Sequence, residues 1–125
     1  LAIGCAKLGD VRQIVKEVGP RSLTGLNLTR DAKQMSGVKL GTIKLAVGES
    51  VVIYARGDDN GKWFELPADV VVNWKVDPEL SVEPATGHIV TVKVVRPIST
   101  TAFVEATTTT KDGKKIEASF QITNK

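Results

Sequence analysis

Apolar and polar positions alternate with a period of two from Gly41 almost to the last residue, in short runs separated by glycine, proline and charged turns. That period marks strands with one buried face, because successive side chains leave opposite sides of an extended backbone. In Ser50–Ala55 the inward set is Val51, Ile53 and Ala55, with Val52 and Tyr54 facing out. Val70–Val76 puts Val70, Val72, Trp74 and Val76 on the core side. Asp77-Pro78 ends that run, since proline fixes φ and donates no hydrogen bond. Leu80–Pro84 predicts a short strand, and His88–Val95 a longer one with Val90, Val92 and Val94 inward. Ala102–Ala106, with Val104, leads through Thr107–Thr110 to Lys111-Asp112-Gly113-Lys114. Ile116, Ala118, Phe120 and Ile122 then share one face. Asp-Gly between alternating runs is a hairpin signal that predicts positive φ at both turn residues.

Upstream, Ser22–Leu28 predicts a first strand that buries Leu23, Leu26 and Leu28, followed by a polar connection from Thr29 to Gly37. Seven or eight short strands, with turns roughly every 8–12 residues, predict an all-β, immunoglobulin-like β-sandwich over residues 22–125. Residues 1–21 form an N-terminal arm. Within it Val11, Ile14, Val15 and Val18 fall on one helical face, Asp10 and Gln13 suit a capping box, and Gly19-Pro20 stops the run. Two Val-rich turns are marginal as an isolated helix, so an extended strand added to a sheet edge is the alternative. Either way those four residues are the expected docking face, on this domain or on a neighbouring copy.

Composition narrows the function. The 125 residues are 42% apolar and 25% charged, which suits one globular domain. Net charge is +3, with the cations scattered among 14 acidic residues. A nucleic-acid surface would cluster them with stacking aromatics, so no nucleic-acid partner is expected. The single cysteine, Cys5, leaves the sandwich to stand on packing without an internal disulfide.

Three stretches carry a resemblance. Lys44-Leu45-Ala46-Val47-Gly48-Glu49-Ser50-Val51, Val72-Asn73-Trp74-Lys75-Val76-Asp77-Pro78-Glu79 and Val82–Lys93 resemble the bacterial immunoglobulin-like domains of intimin- and invasin-type surface proteins. The likeness continues through Thr101–Thr108 and the last hairpin, about two-thirds of the chain. It departs at Arg96-Pro97-Ile98-Ser99-Thr100, where that family has a glycine-containing turn, and residues 1–40 lie outside it. Separately, Leu1-Ala2-Ile3-Gly4-Cys5 resembles the end of a bacterial lipoprotein signal peptide, with Ala2 where leucine is usual. In that family the cysteine is lipidated, so Cys5 is the lipidation candidate and the expected contact with a membrane. Together these imply a non-enzymatic module at the cell surface or outside the cell, used for adhesion or as a spacer. The alternatives are a subunit of a filament, virion or envelope assembly docking through its arm, and a carbohydrate-binding module. Protein partners, further copies of the chain, a surface receptor or a glycan are the expected partners.

Candidate chemistry is sparse. Arg56-Gly57-Asp58 is an RGD triad at the expected start of a charged loop, the kind integrins read through one guanidinium and one carboxylate. Trp63 and Phe64 are adjacent, so an extended backbone sends them opposite ways; the expectation is that both fold over the end of the core, and the alternative is that an exposed one contacts a partner or glycan. Asp58, Asp59, Asn60 and Glu65 do not follow a calcium-loop spacing, and no metal or cofactor is expected. His88, the only histidine, is expected to be solvated in a turn and cannot form a metal cluster or triad alone. No paired carboxylates or nucleophile elbow point to catalysis. The core is expected to gather Val51, Ile53, Val72, Trp74, Val76, Val90, Val92, Val104, Phe120 and Ile122.

Overall fold

The computed structural model of the chain describes residues 22–125; Cys5 and the arm residues Val11, Ile14, Val15 and Val18 lie outside them. Nine strands follow in order: β1 (Gly25–Thr29), β2 (Thr42–Leu45), β3 (Ser50–Asp59), β4 (Lys62–Phe64), β5 (Asn73–Val76), β6 (Leu80–Glu83), β7 (Ile89–Val94), β8 (Ala102–Thr109) and β9 (Lys115–Asn124). One sheet runs β1-β3-β7-β6, with β4 added to the end of β3; the other runs β2-β9-β8-β5. This is the strand order of an immunoglobulin-like sandwich. β2 and β4 are the two strands not among the runs read from the sequence.

The first part of the described segment belongs to both sheets. β1 pairs antiparallel with β3, then residues 30–41 cross over and β2 pairs parallel with the end of β9, Ile43 beside Ile122. The inner faces meet in one core that includes Leu26, Leu28, Ile53, Val92 and Val94 from one sheet and Ile43, Trp74, Val104, Phe120 and Ile122 from the other. Every expected core residue is buried there except Val76, which is half-buried against the cluster. Burial of these faces is the main favourable term, since no disulfide supplements it.

Three local expectations are corrected. The run at 70–76 ladders only from Asn73, because the Val71 carbonyl accepts from the Thr108 hydroxyl at 2.6 Å instead of from a strand. The last hairpin closes through Lys111, Asp112 and Gly113, with Thr110 N–H donating to the Lys114 carbonyl and only Gly113 at positive φ, 87°. That is a three-residue loop with a glycine bulge rather than a two-residue turn. His88 is half-buried, not solvated: its Nε2 lies 2.6 Å from the Val70 carbonyl and therefore carries the proton.

The ends of the described segment lie at opposite poles. Thr24 N–H donates to the Asp58 carbonyl, at the pole holding the Asn60-Gly61 turn. Lys125 Nζ sits 3.1 Å from Glu49 at the other, and its N–H donates to Leu45. β3 and β9, ten residues each, run the length between them, about 33 Å at the strand rise.

Candidate functional site

The RGD triad is not a loop tip. β3 continues through Asp59, and the turn is Asn60-Gly61, with φ of 50° and 97°. Both values are positive, as a two-residue type I′ hairpin requires. Arg56 is 6% exposed on the outer face of its sheet. Its Nη2 donates to the Ala32 carbonyl at 2.5 Å, its Nε to the Gln34 carbonyl at 3.3 Å, and its guanidinium lies 5.4 Å from the Tyr54 ring centre. Gly57 faces inward under Phe64, and a Cβ there would stand 2.6 Å from the Phe64 ring. Asp58 accepts from Asn27 Nδ2 and from Gly61 N–H, both at 3.0 Å. Each member of the triad is thus consumed by the fold, and the geometry an integrin would read is not presented. Arg56 instead pins the 30–36 crossover to the sheet.

The register of β3 with β4 separates the two aromatics. Phe64 pairs with Gly57, its ring lying over that glycine. Trp63 pairs with Asp58 on the opposite face, half-exposed. The small residue Gly25, on the other side of Asp58, leaves room beside it. The result is an open cleft of about 520 Å³ at this pole, between the β3–β4 turn and the start of β9. Trp63, Asp58, Asn27 and Thr24 line it on one side, Lys114, Lys115 and Glu117 on the other, with Lys39 between.

Cations outnumber anions in the cleft by three, Lys39, Lys114 and Lys115, to two, Asp58 and Glu117. Asp58 accepts only from neutral donors and keeps its charge, and Glu117 lies 3.6 Å from Lys115. Lys39 and Lys114 are exposed, neither in a salt bridge among the described residues. Asp112, next to Lys114 in the loop, accepts from the Thr110 hydroxyl, which together with backbone amides holds its carboxyl below the ordinary range. A second recess of about 310 Å³ continues from Lys39 and Leu26 along the flank between β1 and β9.

Sequence reasoning singled out Trp63 but missed Lys39, Lys114 and Lys115, which only the fold brings beside it. The signal for the hairpin itself was in the letters: Asn60-Gly61 is the strongest short-range type I′ pair. Among the described residues no three histidine, cysteine or acidic side chains converge to hold a metal ion. No helix among them is long and apolar enough to cross a membrane. No protein-family model matches the chain, and no curated protein is significantly similar to it.

Proposed function

We propose that this chain is a non-enzymatic immunoglobulin-like module of a bacterial surface protein, of the intimin- and invasin-type group, acting as a rigid spacer that carries tension. The observation that supports it most is the pole-to-pole path of the chain. Residues 22–24 and Lys125 lie at opposite ends of a sandwich whose ten-residue strands run between them. Neighbouring segments joined at those ends would be held apart by the full length of the domain. The same path sets how the fold meets a load. A pull through both poles slides β1 along β3 and β2 along β9, so every bond of each ladder is strained together rather than one at a time. In this reading the Leu1–Cys5 sequence supplies a lipid tether at Cys5, and the module stands at the cell surface.

Small-angle scattering of two copies of residues 22–125 joined in series tests the spacer geometry. A pole-to-pole array gives a radius of gyration well above the about 17 Å of a compact globule of that length. A value near the compact one would refute the reading.

A further inference from the structure

We infer that the cleft beside Trp63 is a binding site for a carboxylated sugar, of the uronate or sialate kind. This goes beyond the spacer reading, which needs no ligand. Three features of the cleft meet the chemistry of such a ligand. Its volume, about 520 Å³, falls within the usual range for small-ligand sites. Trp63, partly buried like Phe64, lines its wall and points to the opposite face of β4 from Phe64. A half-exposed indole offers an apolar plane for the C–H face of a pyranose and an N–H for a hydroxyl. Around it the polar groups are asymmetric in charge. Asp58 and Asn27 are bonded to each other, while Lys39 and Lys114 reach the cleft from two different loops, neither in a salt bridge among the described residues, although Lys114 lies close enough to Asp112 to help lower that carboxyl.

A neutral sugar would use the indole and leave the two ammonium groups idle. A sugar carboxylate that reaches either of them gains a charge-assisted hydrogen bond, stronger than a neutral one. Lys115 is held by Glu117 and is less available. The ligand is therefore recognised by one stacked ring and one carboxylate, and its affinity falls with salt because both cations are solvent-exposed.

The test is titration calorimetry of the full chain with hexagalacturonate, with sialyllactose, and with neutral cellohexaose. Binding of either acidic probe at least tenfold tighter than cellohexaose is the expected result, and the two acidic arms tell a uronate site from a sialate site. Trp63→Ala is expected to weaken the binding tenfold or more. Because Trp63 also packs at the β3–β4 hairpin, the exposed pair Lys39→Ala and Lys114→Ala gives a second reading, with a tenfold loss and a flatter salt dependence in a chain of unchanged Tm. Absence of binding by both acidic probes at millimolar concentration, equal affinity for cellohexaose, or full affinity in the lysine variant would each overturn the inference.

Discussion

Arg56 and Gly57 show how little a short motif says before its backbone is known. A guanidinium in mid-strand, 6% exposed, is kept there by two carbonyls of the crossover and by the Tyr54 ring, so its role is to fasten the loop. Arg56→Ala leaves those carbonyls unanswered, and the expected loss is about 1–3 kcal/mol in a denaturant titration. Gly57→Ala drives a methyl group to within 2.6 Å of the Phe64 ring, an overpacking cost of about 1–3 kcal/mol on the same measurement. If both variants kept full stability, the triad would not be structural. Glu49 adds a pH dependence at the far pole. The Ala46 N–H, then the Lys125 ammonium, hold its carboxyl below its ordinary value of 4.5. A carboxyl depressed in the folded state contributes stability above that ordinary value and loses it as pH falls through the folded value. Thermal stability is thus expected to fall on acidification below about pH 4.5, less steeply in Glu49→Gln; identical acid profiles would remove Glu49 from the account.

At the scale of elements, the turns decide what alternation cannot. Gly61 sits at φ 97°, where a Cβ is strained whatever the space around it. Gly61→Ala is expected to cost about 1–3 kcal/mol in equilibrium unfolding. An unchanged midpoint would mean the β3–β4 hairpin does not need its type I′ turn. The buried faces of β3, β7 and β9 were legible from Val51 and Ile53, Val90 to Val94, and Phe120 and Ile122, because each strand has one wet and one dry side. β2 and β4 were not: β4 is only three residues long, and β2 pairs parallel with β9, far along the chain, which alternation does not reveal. The same physics explains the over-long strand at 70–76. Valines favour extended backbone, but pairing there is ended by the Thr108 side chain, which alternation does not reveal. Asn27 and Thr29 were also illegible: their strand faces the 30–36 crossover, so its polar side is buried as well as its apolar one. Of the cleft, the sequence singled out only Trp63 and Asp58, the latter for other chemistry. Lys39 and Lys114 are 75 positions apart (114 − 39) and meet only through the crossover and the final hairpin.

On the scale of the whole molecule, two parts of the fold are tied by the same stretch of chain. Residues 25–45 join one sheet through β1 and the other through β2, while Asn124 bonds both the N–H and the carbonyl of Ile98. Ile98, only 2% exposed, belongs to the same core, so the segment where the sequence departs from the intimin- and invasin-type pattern still contributes a buried residue. Such a frame suits a module that must keep its length under load, and resistance to forced unfolding is set by the unfolding barrier rather than by equilibrium stability. Single-molecule pulling of the full chain measures that directly. With handles before Ser22 and after Lys125, one cooperative rupture is expected, at a force well above that found when the handles sit on Lys62→Cys and Lys111→Cys, at one pole but on opposite sheets, where the sheets are peeled apart from that pole instead of sheared. Equal forces in the two geometries, or gradual lengthening with no rupture, would contradict the account of this domain as a tension-bearing spacer.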